Sequence, residues 1–314
     1  MKVKFWGVRG SHPTPISPDQ VRSKLNAVIQ RIQPENVIDN NSRQKFIASL
    51  PDWLYGTIGG NTPCIEITTN KNETIIIDCG SGMRSCGKTH LSSNDKTFHI
   101  FLSHFHWDHI QGLPFFDPAY NLSSCLKFYS SFSNMSEYLK QQMKSPFFPV
   151  EMDTSFTKEI EYILFESSKP YEIVDNISVT SKQMCHPGGS YSYAFSENGH
   201  KFIYASDVEL QQKDFERTPE NIAFFSNADV LLLDAQYTAE EALEKENWGH
   251  STFCYAIDFA IVWNIKKLYL FHHEPAYNDE KLFGILEVAK WYADYASGGV
   301  LRVHLAIEDR EIII

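Results

Sequence analysis

Residues 103–112 read Ser-His-Phe-His-Trp-Asp-His-Ile-Gln-Gly, and this stretch decides the interpretation of the chain. Three histidines and one aspartate fall within six positions: His104, His106, Asp108 and His109. The preceding residues 98–102 are apolar and bulky, which predicts a buried strand. Alternate side chains of a strand share a face, so His104 and His106 can reach one point just beyond the strand's end. Asp108 and His109 follow on a turn and can reach a second point nearby.

The donor atoms of this segment suit a pair of metal ions. Two imidazoles on one ion and a mixed carboxylate and imidazole set on the next are typical of borderline metals such as zinc. Manganese and iron tolerate the same nitrogen and oxygen donors. The alternative is a histidine-rich surface loop that binds nothing. We predict two divalent ions, with Zn²⁺ favoured and Mn²⁺ or Fe²⁺ as alternatives.

The pattern His-x-His-x-Asp-His after a buried strand resembles the metallo-β-lactamase-fold hydrolases. The resemblance implies further metal ligands at the ends of later strands. His186, in Met-Cys-His-Pro-Gly-Gly-Ser, matches a third histidine for the first ion. Asp207 follows an apolar run and is similar to the carboxylate that bridges both ions in this superfamily. His272 is the preferred last ligand by strand alternation and by likeness to relatives, and His273 is the fallback.

Three other motifs resemble the branch of this superfamily that holds ribonuclease Z and the cyclic-phosphate phosphodiesterases. They are Phe-Trp-Gly-Val-Arg-Gly-Ser at 5–11, Gly-Gly-Asn-Thr-Pro-Cys at 59–64 and Trp-Gly-His-Ser-Thr at 248–252. In ribonuclease Z, a His-Ser-Thr element places a non-ligand histidine against the scissile phosphate. The resemblance implies this role for His250, with a structural histidine at a helix start as the alternative. Asp108 is expected both to bind metal and to orient the nucleophile.

Three more residues, each at a strand end or next to an expected ligand in the sequence, allow two interpretations each. Asp78 ends an isoleucine-rich run, where it either supports the metal ligands from behind, as in the family, or caps its own turn. Glu274 either supports the last ligand or is a solvated residue before Pro275. Cys185 is either a group behind His186 or a packed free cysteine.

The predicted fold class is an α+β four-layer αβ/βα sandwich of two mixed β-sheets with outer helices, the metallo-β-lactamase fold, as one domain over residues 1–314. Strand patterns are predicted at 3–8, 64–69, 74–78, 98–102, 177–183, 201–206, 230–234 and 267–271, and helices at 251–264 and 282–295. Residues 16–54 and 114–170 are expected to be insertions beside the core. Aromatic residues of the second insertion can stack on a nucleobase, or close a small satellite core or a homodimer face.

The net charge, the cysteines and the lengths of the apolar runs limit which partners and which compartment are expected. The chain has 314 residues, 43% of them hydrophobic, and a formal net charge of −11. A broad nonspecific nucleic-acid surface is normally basic, so the charge favours a small substrate over RNA. The six cysteines are scattered without a paired motif, which predicts reduced thiols in the cytoplasm. No run approaches the about 18 apolar residues of a membrane span, and no signal peptide is expected.

The sequence therefore predicts a dinuclear metal-dependent phosphodiesterase that hydrolyses a small cyclic or dinucleotide phosphodiester through a metal-bridging hydroxide. The alternatives are an RNA-processing endonuclease of ribonuclease Z type, a thioester or lactone hydrolase on the same metal core, and a noncatalytic metal or ligand sensor. A sensor has no need of a leaving-group donor such as His250. Expected partners are a small phosphodiester or nucleotide substrate, with RNA less favoured, no membrane, and a homodimer left open.

Overall fold

The computed structural model describes residues 1–91, 96–174 and 176–314. Over these ranges the chain forms two seven-stranded sheets. The strands are β1 (Lys2–Gly7), β2 (Cys64–Thr68), β3 (Thr74–Ile77), β4 (Thr97–Phe101), β5 (Cys125–Ser130), β6 (Glu159–Leu164), β7 (Tyr171–Val174), β8 (Ile177–Met184), β9 (Ser190–Glu197), β10 (His200–Ala205), β11 (Val230–Asp234), β12 (Lys267–Phe271), β13 (Arg302–Leu305) and β14 (Glu311–Ile313).

Each sheet is half antiparallel and half parallel. The first sheet has the order β14-β1-β2-β3-β4-β5-β6, with antiparallel pairing up to β3 and parallel pairing from β3 to β6. The second has the order β13-β12-β11-β10-β9-β8-β7, with parallel pairing from β13 to β10 and antiparallel pairing beyond. Parallel strands point the same way, so their carboxyl ends meet at one edge of each sheet.

Helices cover the outer faces and fill the connections. They are α1 (Pro18–Ile29), α2 (Asn40–Ser49), α3 (Asp52–Tyr55), α4 (Met83–Thr89), α5 (Trp107–Ile110), α6 (Met135–Gln142), α7 (Met152–Ser155), α8 (Pro219–Phe225), α9 (Ala239–Glu244), α10 (Phe253–Val262) and α11 (Asp279–Ser297). Short 3₁₀ helices lie at Pro34–Val37, Leu113–Phe115, Asp117–Tyr120 and Gln212–Phe215.

The alternation of β3 shows how the layers are built. Ile75 and Ile77 face the core between the two sheets, whereas Ile76 belongs to a second apolar cluster outside the first sheet. All three are fully buried because a central strand is covered on both faces. Leu282 and Leu286 of α11 extend the inter-sheet core on the far side of the second sheet. Two mixed sheets flanked by helices confirm the predicted sandwich.

The predicted strands agree with the observed ones to within one or two residues, and β11 and β12 agree at both ends. Both predicted helices exist with different limits. The first is α10, with Thr252 as its N-terminal cap through a bond from the Tyr255 amide. The second is α11, which begins at Asp279 after an Asn278 cap and extends to Ser297. The sequence pattern missed this start because the first turn is polar.

The two expected insertions differ in structure. Residues 16–54 form α1, α2 and most of α3, and neither α1 nor α2 contributes a buried residue. Residues 114–170 contribute more to the core than an insertion would, because β5 and β6 extend the first sheet and Phe128 is fully buried. No helix in the described ranges is long and apolar enough to cross a membrane.

Candidate metal centre

Strand ends from both sheets deliver the candidate ligands to one place. In the first sheet, β3 leads into Asp78 and β4 leads into the His104 segment. In the second sheet, His186 follows β8, Asp207 follows β10 and His272 follows β12. The structure brings all seven predicted ligands together as two adjoining groups around Asp207.

The first group holds three imidazoles and one carboxylate: His104, His106, His186 and Asp207, whose ligand atoms lie within 4.8 Å of one another. Asp207 Oδ1 is 3.7 Å from His104 Nε2 and 3.6 Å from His186 Nε2. His106 Nδ1 lies 3.1 Å from His186 Nε2. Three nitrogens and one oxygen are a ligand set typical of zinc.

The second group is Asp108, His109 and His272, again within 4.8 Å. The other oxygen of Asp207, Oδ2, lies 2.9 Å from His109 Nε2 and 3.3 Å from His272 Nε2. Asp108 Oδ2 is 3.4 Å from His109 Nε2 and accepts a 2.8 Å bond from the Ser11 amide. The Asp207 carboxylate therefore presents one oxygen to each group, which is the arrangement of a bridging ligand.

Hydrogen bonds from behind fix which nitrogen of each ring faces inward. His109 Nδ1 donates to Asp78 Oδ2 at 2.7 Å, and His186 Nδ1 donates to the Gly249 carbonyl at 2.9 Å. His272 Nδ1 donates to Gln236 Oε1 at 3.1 Å. His104 Nδ1 lies 3.0 Å from Ser103 Oγ, whose own proton goes to Asp78. In each of these four rings Nδ1 is held from behind and Nε2 faces the other ligands, which is the orientation that metal-binding histidines need.

The ligand atoms of the cluster do not satisfy one another, and positive ions would satisfy them better. The Nε2 atoms of His104 and His109 are buried without a hydrogen-bond partner. His109 Nε2 lies 2.9 Å from a carboxylate oxygen of Asp207. Burial disfavours the charged ring, but Asp207, Asp108 and Asp78 raise the pKa of His109 well above its ordinary value, so this ring attracts a proton that offsets the buried carboxylates. A divalent ion would supply that positive charge in place of the proton.

The protonation states of His104, His186 and Asp207 suit metal binding, whereas His109 must give up a proton when an ion binds. Burial, together with the neighbouring rings, holds the pKa of His104 well below its ordinary value, and burial lowers the pKa of His186. Burial opposes ionisation of Asp207, but the imidazoles around it hold the pKa of its carboxyl well below the usual range. Neutral imidazoles and ionised carboxylates are the forms that bind metal.

The backbone is strained where the ligands are displayed. Asp78, Asp207 and His272, each just past a strand end, have φ of 59°, 56° and 58°. A left-handed conformation costs a non-glycine residue about 1–3 kcal/mol and persists only where the surroundings enforce it. Gly249, with φ of 90°, is a related case, because a Cβ there would lie 2.1 Å from His186 Nδ1.

His250 lies beside the cluster, and with Asp207 and His272 it forms a third group of possible ligand atoms within 4.8 Å of one another. Its Nδ1 is 2.7 Å from Asp234 Oδ2, and its ring stacks on His272 at 5.0 Å. Burial disfavours the charged ring, but Asp234 and the cluster carboxylates raise the pKa of His250 to about 9. While this ring is protonated it can donate a proton from Nε2.

The structure shows the contacts of Asp78, Glu274 and Cys185, for which the sequence left two interpretations, and of His273, the fallback ligand. Asp78 accepts from His109 and Ser103, so it supports the cluster. Glu274 Oε2 accepts from Gln236 Nε2 at 2.8 Å and so orients the amide that holds His272. His273 points away from the cluster, and its Nε2 donates to the Ala306 carbonyl at 2.9 Å. Cys185 is half-buried, and its backbone carbonyl accepts from the Glu209 amide.

Two functional residues were missed by the sequence interpretation. Asp234 ends the buried strand β11, and Gln236 follows two positions later. A signal was present, since Asp234 closes a Leu-Leu-Leu-Asp run as Asp78 closes Ile-Ile-Ile-Asp. Gln236 carried no such pattern, because its role depends on the position of His272 in the neighbouring strand.

Comparison with known proteins agrees with this geometry. The family model of the beta-lactamase superfamily domain matches residues 73–273, more than half of the chain. The chain belongs to the beta-lactamase superfamily. It is a metal-dependent hydrolase of the metallo-β-lactamase fold, a family whose members bind divalent ions, and the resemblance predicted from the motifs is confirmed.

Similar proteins from this superfamily include ribonuclease Z. The Picrophilus torridus enzyme is 24% identical over 266 residues, covering 71% of this chain and 84% of that protein. The Listeria monocytogenes enzyme is 26% identical over 284 residues, covering 74% and 89%.

Solved structures share the fold along the whole chain. The metallo-beta-lactamase fold protein YhfI from Bacillus subtilis has a TM-score of 0.65 at 17% identity, covering 99% of this chain and 98% of that one. Human tRNase Z, short form, has a TM-score of 0.60 at 18% identity, covering 100% and 99%.

The two adjacent histidines after β12 give a test of the ligand assignment. We expect His272→Ala to lose about one metal ion per chain, because Nε2 of His272 faces Asp108 and Asp207. His273→Ala should keep its metal but unfold about 1–3 kcal/mol more easily, because it leaves a buried carbonyl unpaired. Metal analysis by mass spectrometry and denaturant titration would measure both. Metal loss in the His273 variant alone would move the ligand by one position.

Proposed function

We propose that this hydrolase is a phosphodiesterase with two divalent ions and a histidine proton donor. The observation that carries the proposal is the His250–Asp234 pair, 2.7 Å apart, directly beside the two-part ligand cluster. A metal-binding sensor has no use for a charged imidazole at this position. A thioester releases a thiolate, which hardly needs a proton donor, so the pair favours a substrate with an oxygen leaving group, and the ribonuclease Z relatives favour a phosphodiester among these.

The proposed ligands follow the two groups. His104, His106 and His186 would hold one ion, and Asp108, His109 and His272 the other, with Asp207 shared. Zinc is the proposed metal because nitrogen donors predominate, while manganese and iron accept the same set. When bound, such a pair lowers the pKa of water and offsets charge on phosphoryl oxygens.

The chain's own residues complete the reaction. Hydrolysis joins a water oxygen to phosphorus and breaks one ester bond, which yields an alcohol and a phosphate monoester. The departing oxygen needs a proton, and His250 can supply it from Nε2 because Asp234 keeps its ring charged. Asp234 also fixes the ring through Nδ1. Asp108, held by the Ser11 amide, is placed to orient the attacking water.

The proposed substrate class is a small cyclic or dinucleotide phosphodiester. The net charge of −11 favours a small anion over a long polyanion that needs a broad basic surface. Cleavage of structured RNA is the second candidate, favoured by the ribonuclease Z relatives. A structured RNA and a linear dinucleotide, assayed side by side, would separate the two.

We also propose the domain organisation of the chain and its cellular compartment. Residues 1–314 form one catalytic domain, because one apolar core runs from Met1 to Ile307. The protein works in the cytoplasm, since all six cysteines are free thiols.

Removal of His250 should separate catalysis from metal binding. We expect His250→Ala to keep both ions and to stay folded, with a lower unfolding midpoint because the buried Asp234 carboxylate loses its partner, while kcat for an alkyl or ribose ester falls by about 10²–10⁴. The loss should be much smaller for a p-nitrophenyl ester, whose leaving group hardly needs a proton. The matched control is His200→Ala, which removes an exposed ring at the start of β10, the end of the strand away from Asp207. Loss of metal or of folded protein would make His250 structural instead.

Asp234 should set the alkaline limit of activity. His250 donates only while protonated, so its contribution is present below its pKa, about 9, and is lost as pH rises through that value. Asp234→Asn removes the main group that raises this pKa, so the alkaline limb of kcat against pH should move to lower pH. Bound cations repel a proton on His250, so variants must be compared at one fixed metal concentration. An unchanged limb, or one at higher pH, would contradict the assignment.

A further inference from the structure

Two tryptophans beside the cluster are exposed. The side chain of Trp107 is 80% exposed and that of Trp248 is 61% exposed, whereas Trp6 and Trp263 are buried in the apolar clusters. A large aromatic side chain gains free energy when it is removed from water. Exposed rings on the segments that carry cluster residues are therefore available for a flat partner.

The two residues come from different sheets. Trp107 separates His106 from Asp108, so it stands between one residue of each ligand group on the segment after β4. Trp248 follows β11 of the second sheet and comes two positions before His250. The cluster thus has one exposed indole on the loop of each sheet.

The backbones that carry both rings are fixed. The Glu209 carboxylate accepts from the amides of Asn247 and Gly249, which flank Trp248. The Trp107 carbonyl accepts from the Gln111 amide at 2.8 Å. The backbone that carries both rings therefore needs no reordering when a ligand binds, which lowers the conformational cost of binding.

A cation lies on the Trp248 side. Lys245 Nζ is 5.9 Å from the Trp248 ring centroid and 4.1 Å from that of Tyr237, which meets His250 edge-on at 5.6 Å. Lys245 Nζ also lies 3.9 Å from Glu274 Oε2, so its charge is shared with that carboxylate, and the aromatic face beside it suits the flat base of a nucleotide.

We propose that Trp107 and Trp248 stack on two nucleobases, one on each ester arm of the scissile phosphate. The substrate is then a linear dinucleotide-type phosphodiester rather than a cyclic mononucleotide with one base. This inference rests on the proposed phosphodiesterase function and specifies its substrate. Stacking tolerates any base, because every base has a flat π face.

The test compares three substrates: adenylyl-(3′→5′)-adenosine, the same dinucleotide with both bases removed, and 3′,5′-cyclic AMP. For the dinucleotide, Trp107→Ala and Trp248→Ala should each raise KM about 5- to 150-fold, which corresponds to the about 1–3 kcal/mol of one stacked base. The kcat should hold, and Trp→Phe should restore most of the affinity. With the baseless dinucleotide neither variant should differ from the parent protein, and with cyclic AMP only one should.

Trp291→Ala, which removes an exposed ring on α11, is the matched control and should change nothing. A second readout does not depend on turnover, namely quenching of tryptophan fluorescence by AMP, which should weaken in Trp107→Phe or Trp248→Phe. If the parent protein cleaves the baseless dinucleotide but both alanine variants keep KM for the full one within twofold, the stacking proposal is overturned. If the parent cleaves none of the three esters, the phosphodiesterase proposal fails, and unquenched fluorescence would then overturn stacking as well.

Discussion

The carboxylate of Asp207 is the point on which the site depends. One of its oxygens faces His104 and His186 of the first ligand group, and the other faces His109 and His272 of the second. It can do so because β10 is a central strand of the second sheet, ending opposite the β4 end of the first. A shift between the sheets would therefore separate the two groups and leave an ionised, buried side chain without partners.

The two sheets are tied together directly beneath the cluster. Tyr204 of β10 donates to Asp78 Oδ2 at 2.5 Å, and Tyr193 of β9 donates to the Leu102 carbonyl at 2.7 Å. Asp78 thus serves the first sheet, the second sheet and the His109 ring at once. Such bonds hold the strained backbone at Asp78 and Asp207, so the structural core and the reactive site share the same residues.

The sequence predicted what is local. A buried strand that ends in a polar residue is readable from its own pattern, so the strand limits and the ligand candidates of residues 104–109 could be stated in advance. His186, Asp207 and His272 were added by the resemblance to the metallo-β-lactamase-fold hydrolases. The side chains that hold these candidates depend on contacts between distant segments. Gln236 meets His272 across neighbouring strands, and Gly249 meets His186 across 63 positions, which no local pattern encodes. Residues 114–170 were expected beside the core because they form an aromatic stretch interrupted by prolines, although β5 and β6 lie within the first sheet.

The central claim is that Asp207 joins two ions, one in each ligand group. Crystals grown with Zn²⁺ and measured at the zinc absorption edge test this most directly. The account predicts two anomalous peaks, one among His104, His106 and His186 and one among Asp108, His109 and His272, each in contact with a different oxygen of Asp207. A single peak, or two peaks of which one does not touch Asp207, would contradict it.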